Sequence, residues 1–316
     1  MGDENELEEE DRQEYRNVGA AIERIPQMRL GELVLSSIPG IVMENILHPL
    51  LERCPSIEKL HLGKIYALRT LEHLAKTLKE NKLPTLRHLT LGRLYSDGKA
   101  LEKVVSHIAC GLDSFVLEDE QAHMMAPFLI QHHSRSLTRL EMGLSPWLLS
   151  DLMAGLPCLQ TVRFIIYVDD DDEVTDVRPP DKDWKCVDLR NLQLYLALYI
   201  HYGIGDDEWK GSFAKMCMDH VFSQVGKLRR LQELNLGCKR DMYLKKHGYL
   251  EQLAGLKQLK VLDLTKTNYT WLEKQEASWM AENWPKLLQI CPDHLPAIFK
   301  KTLLRERPLV EFIKGR

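Results

Sequence analysis

The sequence predicts an α/β solenoid in which short parallel strands alternate with returning helices along one stacked array. Three observations carry this expectation. The pattern Leu-x-x-Leu-x-Leu, with apolar swaps, occurs nine times. Seven of the eight start-to-start spacings lie within, or one residue outside, the 20–29 residues of a leucine-rich repeat. Between the copies lie segments whose apolar residues fall at helical spacing. Together they describe a leucine-rich-repeat horseshoe, with parallel strands on its concave face and helices on its convex face.

The copies begin with Leu30/Leu33/Leu35, Ile57/Leu60/Leu62 and Leu86/Leu89/Leu91. Leu112/Phe115/Leu117, Leu137/Leu140/Met142 and Leu159/Val162/Phe164 come next. The last three are Leu189/Leu192/Leu194, Leu231/Leu234/Leu236 and Leu259/Leu262/Leu264. Leu-x-Leu alternation gives a short strand with one buried face. The intervening segments return the chain. Ala67 to Lys79 places Leu71, Leu74 and Leu78 on one helical face, and Ala100 to Ala109 does the same with Leu101, Val104, Val105 and Ile108. No unit has enough core to fold alone, but stacked units share one. Proline precedes the motif at Pro55, Pro84, Pro157 and Pro285, where it stops a helix and starts an extended run. Glycine comes after it at Gly63, Gly92, Gly143 and Gly237, where a sharp turn is expected.

The ends and interruptions divide the chain into residues 1–24, 25–290 and 291–316. Met1 to Glu14 carry eight acidic side chains and one basic, which suits a solvated tail or an acidic docking segment. Arg12 to Arg24 suits a capping helix. The repeat domain, 25–290, holds insertions at about 168–185 and 199–225. The first contains Asp169, Asp170, Asp171, Asp172 and Glu173 without the ligand spacing of a calcium loop, so a solvated loop is expected. The second accounts for the one 42-residue spacing and contains Tyr202, Trp209 and Phe213. It is expected either to bind a partner or to pack its aromatics on the repeats. Trp279 to Ile290 resembles half a repeat. A basic helix, Ala297 to Lys314, would then cap the array or dock a partner.

Composition narrows the function. Net charge is −4 over 316 residues, which lacks the basic footprint of a nucleic-acid binder. The seven cysteines are odd in number and show no CxxC pair, so buried free thiols in a reducing compartment are expected. The acidic N-terminus is not a secretory signal, and no stretch approaches a membrane span. A cytoplasmic or nuclear protein is expected. No phosphate-binding, zinc-protease, serine-hydrolase or kinase signature occurs. His132-His133 is an adjacent pair facing different ways. A non-enzyme without cofactor or metal is expected, with an enzyme that uses the 199–225 insert as a lid as a remote alternative.

Partner-facing residues should lie between and before the apolar positions of each strand. They run Glu32, Val34; Lys59, His61; His88, Thr90; Ser114, Val116; Arg139, Glu141; Thr161, Arg163; Asn191, Gln193; Glu233, Asn235; Val261, Asp263. Such a mixed polar surface suits a folded protein or an extended peptide.

Leu83-Pro-Thr-Leu-Arg-His-Leu-Thr-Leu-Gly92, Leu228 to Gly237 and Leu256 to Leu264 resemble the repeat portion of fungal F-box/leucine-rich-repeat proteins. Ala277-Ser-Trp-Met-Ala-Glu-Asn-Trp-Pro-Lys-Leu287 is similar to the ending of their arrays. The resemblance covers roughly residues 25 to 290. It implies the substrate receptor of an SCF ubiquitin ligase, with a Skp adaptor and a cullin as partners and a target protein on the repeats. The chain departs from the group in one respect. Ile38 to Leu47 is similar to the opening of an F-box, but it runs directly into the Ile57 repeat, and a repeat helix is expected there. The initial Met favours a complete chain over a fragment whose F-box lies upstream. A leucine-rich-repeat interaction or regulatory protein of another signalling or nuclear pathway stays open.

Overall fold

The computed structural model describes residues 9–36, 40–65, 68–94, 98–118, 124–169, 182–199, 213–238, 244, 246–267, 272–292 and 295–313. The chain forms two compact units, Met1–Met142 and Gly143–Arg316.

The first unit opens with α1 (Glu9–Glu23), succeeded by β1 (Glu32–Leu35), α2 (Gly40–Arg53), β2 (Lys59–Leu62) and α3 (Leu68–Lys79). Then come β3 (His88–Leu91), α4 (Gly98–Ser106), β4 (Ser114–Leu117), α5 (Ala126–His133) and β5 (Arg139–Leu144), whose end passes into the second unit. Each strand pairs in parallel with the next in sequence. This is the leucine-rich-repeat solenoid that the spacing predicts. Strand period two buries Leu60, Leu89, Phe115 and Leu140, and helix period 3.6 brings Leu71, Leu74 and Leu78 of α3 onto them. Each such Leu contributes about 1.5–3 kcal/mol by leaving water.

One bonding pattern fixes the stacking. The N–H groups of Arg87 and His88 both donate to the Glu58 carbonyl, those of Asp113 and Ser114 to Arg87, and those of Thr138 and Arg139 to Asp113. A turn precedes each motif, as where the Ile57 N–H donates to the Cys54 carbonyl and Leu86 to Leu83. Helix α3 ends with Asn81 at φ 53°. There the Lys82 N–H reaches the Thr77 carbonyl and the Asn81 N–H the Leu78 carbonyl, the Schellman closure in which Asn substitutes for Gly.

The second unit contains α6 (Pro146–Gly155), β6 (Thr161–Asp169), β7 (Asn191–Tyr199), α7 (Phe213–Gly226), β8 (Glu233–Cys238) and β9 (Val261–Thr267). It ends with α8 (Lys274–Asn283), β10 (Gln289–Pro292), α9 (Ala297–Glu306) and β11 (Glu311–Phe312). Between β8 and β9 the described residues include a π-helical turn, Lys246–Leu250, and a 3-10 turn, Leu253–Gly255. The strands again pair in parallel and in order. A capping box starts α8: the Glu273 N–H donates to the Glu276 carboxylate at 2.9 Å.

Several boundaries differ from the sequence reading. Helix α1 starts at Glu9, inside the stretch expected to be a solvated tail, because good helix formers continue past the acidic run. The segment Ile38 to Leu47 falls largely within α2, a repeat helix as expected. The expected 199–225 insertion is much shorter. From Phe213 onward it is α7, and Cys217, Met218, Val221, Phe222 and Val225 are buried as in any other repeat helix. The C-terminal basic helix ends at Glu306, where Arg307-Pro308 repeats the stop signal, and the strand series runs on beyond residue 290 through β10 and β11. Gly92 is needed for a close approach rather than for a left-handed backbone. A Cβ there would sit 2.6 Å from the Gly63 carbonyl oxygen of the preceding turn.

Candidate partner-binding surface

In each unit one side of the strands is covered by helices and the other carries the residues between the buried positions. In the first unit these form two rows in register. Glu32, Lys59, His88, Ser114 and Arg139 are aligned, and so are Val34, His61, Thr90, Val116 and Glu141. Neighbours in a row are about 4.8 Å apart. All are exposed or half-buried, Val34 at 55%. In the second unit the rows are Thr161, Asn191, Glu233, Val261, Gln289, Glu311 and Arg163, Gln193, Asn235, Asp263, Cys291. The expected column is thus two aligned rows in each unit. Half-buried Ile165 and Tyr195 extend them along β6 and β7.

The rows differ in electrostatics. In the first unit Lys59 lies 3.7 Å from Glu32, and Arg139 holds Glu141 through Nε at 3.0 Å and a second nitrogen at 2.5 Å. Formal charges cancel there, and His61 and His88 add imidazoles. In the second unit Glu233, Asp263 and Glu311 outnumber Arg163. The Asn235 Nδ2 donates to Asp263 Oδ2 at 2.8 Å, and the Thr265 N–H donates to Asp263 Oδ1 at 3.0 Å. Asp263 is therefore a preset acceptor clamped from two sides. The Asn235 Oδ1 is buried without a hydrogen bond among the described residues.

The sequence reading missed Gln289, Cys291 and Glu311, because Pro292 occupies a motif position and the last strand has only two residues. It also missed Lys64 and Arg93, exposed just past β2 and β3. Their signal was the repeated Leu-Gly-Lys/Arg at Leu62 to Lys64 and Leu91 to Arg93. Of the insert residues, Tyr202 and Trp209 lie outside the described residues, and Phe213 begins α7.

Groups with chemical potential elsewhere serve the packing. His133 is buried. Its Nδ1 accepts the Leu112 N–H at 3.1 Å and its Nε2 donates to the Val105 carbonyl at 2.9 Å, which fixes the neutral tautomer. Burial lowers its pKa. Its neighbour His132 is exposed. Burial pushes the thiols of Cys186 and Cys217 up to about 12, so neither is a thiolate at neutral pH. Ser150 Oγ lies 3.1 Å from His220 Nε2, but Ser150 is 2% exposed, and the pair ties α6 to α7. Among the described residues no three His, Cys, Asp or Glu side chains group as metal ligands, and no helix is long and apolar enough to cross a membrane.

No protein-family model matches the chain. No curated protein matches its sequence. Among solved structures it is similar to a chain in the crystal structure of the Rad7 and Elc1 complex from yeast. The identity is 15%, the match covers 96% of this chain and 78% of that one, and the TM-score is 0.43.

Proposed function

We propose that the chain is a non-catalytic leucine-rich-repeat scaffold that captures another protein on the strand faces of its repeats. The observation that supports this is the in-register rows of exposed and half-buried side chains, opposite the face that the helices bury. Lys59, His61, His88, Thr90, Arg139 and Glu141 would make the contacts in the first unit. Arg163, Asn191, Gln193, Glu233, Asn235 and Asp263 would make them in the second. Mixed polarity of this kind suits a protein surface, where specificity comes from matched polar groups around a few apolar anchors.

Resemblance to F-box/leucine-rich-repeat proteins extends the proposal to the substrate receptor of an SCF ubiquitin ligase, with a Skp adaptor and a cullin in the complex. A second reading, a scaffold in an unrelated signalling or nuclear pathway, is favoured by α2. The segment similar to an F-box opening falls largely within this repeat helix, and its Leu47 and Leu51 are buried. Affinity purification with mass spectrometry decides between the two. Recovery of a Skp adaptor and a cullin supports the ligase, and recovery of neither rules it out. Repeating the purification with Thr90→Arg and Asn191→Arg tests the surface itself. Loss of the captured protein is expected, whereas retention by both variants refutes binding on the strand faces.

A further inference from the structure

The first unit carries a concentration of positive charge that the net charge of the chain hides. The segments Glu58–Ile65 and Arg87–Leu94 are neighbours, with β2 and β3 in register and Ile65 bridged to Leu94. They hold four cations, Lys59, Lys64, Arg87 and Arg93, against one carboxylate, Glu58, and they add the imidazoles of His61 and His88. Arg87 is committed elsewhere, 3.9 Å from Asp113. Lys59 has only the loose 3.7 Å contact with Glu32, and its side chain is 54% exposed. Among the described residues, Lys64, Arg93, His61 and His88 form no side-chain hydrogen bond or ion pair, and Lys64 and Arg93 are exposed. A protein of net charge −4 therefore keeps exposed cations on and just past two adjacent strands of its candidate binding face.

Geometry defines the ligand. Lys59 and His88 are direct register neighbours, about 4.8 Å apart. Lys64 and Arg93 follow the far ends of the same two strands, whose four residues each span about 10 Å. Between the two cationic ends lie His61 and Thr90, able to take hydrogen bonds. Such a site is too long for a single anion. It matches an extended segment that places carboxylates at both ends. We propose that the strand face of the first unit at Lys59, His61 and His88, with Lys64 and Arg93 just past its strand ends, docks an acidic peptide segment of a partner protein. The proposal rests on the strand-face reading above and supplies the partner's chemistry.

Fluorescence anisotropy of a labelled Glu-rich peptide on the full chain tests it, with a Lys-rich peptide as the counterpart. Saturable binding of the acidic peptide, weakening as salt rises, is expected. The double variant Lys64→Glu/Arg93→Glu, and Lys59→Glu alone, should each weaken it about tenfold or more. Arg229→Glu, exposed in the second unit away from both rows, should leave it unchanged. These side chains are exposed, so unaltered circular dichroism will separate lost docking from lost folding. No binding by the full chain, equal binding of the Lys-rich peptide, or undiminished binding by the first-unit variants overturns the proposal. Binding that emerges only after residues 1–8 are deleted also overturns it, because the occupant is then the chain's own acidic segment. If the peptide fails while Thr90→Arg still releases the captured protein, the acidic chemistry falls and the strand-face reading stands.

Discussion

The two units build the same repeat with strands of different length. In the first, β1 to β4 each span four residues. In the second, β6 and β7 span nine each and pair along their whole length. The residues just past the motif decide this. After Leu62 and Leu91 come Gly-Lys and Gly-Arg, which end the alternation. After Phe164 and Leu194 it continues, as Ile165-Ile166-Tyr167-Val168 and Tyr195-Leu196-Ala197-Leu198. β-branched, aromatic and aliphatic residues at period two keep a strand going, and Ile166 is buried as the pattern requires. The consequence reaches the surface. Short strands leave cations at their ends in the first unit, while long strands extend the face with Ile165 and Tyr195 in the second. One repeat can thus present two different chemistries.

The largest effects should come from the core, and they compare the units directly. Phe115 on β4 and Trp284 after α8 are both fully buried. Phe115→Ala should destabilise by about 3–5 kcal/mol in denaturant unfolding. Trp284→Ala should cost at least as much, because the indole also packs edge-on against Trp279 at 5.4 Å and donates from Nε1 to the Leu253 carbonyl at 3.1 Å. A markedly smaller loss at Trp284 would mean that the second unit tolerates cavities that the first does not.

Next in size is the turn stacking of the first unit. Gly92→Ala pushes a methyl against the backbone of Gly63, which cannot move independently of the strand, and should cost about 1–3 kcal/mol. Gly31→Ala is its control. Nothing lies within 4 Å of a Cβ there, so that change should be neutral or slightly stabilising. Equal melting temperatures for the two variants would remove close approach as the reason for Gly92.

His133 gives the first unit a pH dependence. Its folded pKa lies below the ordinary value of 6.5 because burial disfavours the charged ring. The unfolded chain therefore binds the proton first as pH drops. The stabilisation is complete above about 6.5 and is lost as pH falls from there through the folded value. His133→Phe removes both ring hydrogen bonds and should cost about 1–3 kcal/mol at pH 7.5. It should also flatten the stability profile below pH 6.5. A variant profile as steep as that of the parent chain would assign the acid sensitivity to other groups.

A feature of this molecule was legible in the sequence to the extent that it depends on local pattern. All nine motifs read from the sequence lie on parallel strands, because alternation is local and strong. The face residues between them were legible for the same reason. The last two copies were not, since Pro292 occupies a motif position and the final strand has only two residues. Phe213 to Val225 was read as insertion because the 42-residue spacing hid a normal helix behind extra chain. The role of Gly92 is a contact between consecutive turns, which no single-repeat pattern encodes. The Asn235 bond to Asp263 and the two bonds of His133 join residues 20 or more apart, beyond what periodicity can convey.

The smallest expected effects sharpen the surface contrast. Arg139→Ala breaks an ion pair whose arginine side chain is 55% exposed, so it should cost at most about 0.5 kcal/mol and less at high salt. Asn235→Ala removes the amide that clamps a half-buried carboxylate, and should cost about 1 kcal/mol with little salt dependence. Both can be read from urea midpoints at two salt concentrations. The ordering matters more than either value. If salt attenuates Asn235→Ala as strongly as Arg139→Ala, then Asp263 is a solvated surface charge. If it does not, Asp263 is a fixed acceptor, so that the second unit offers a partner a preset hydrogen-bonding site where the first offers free cations.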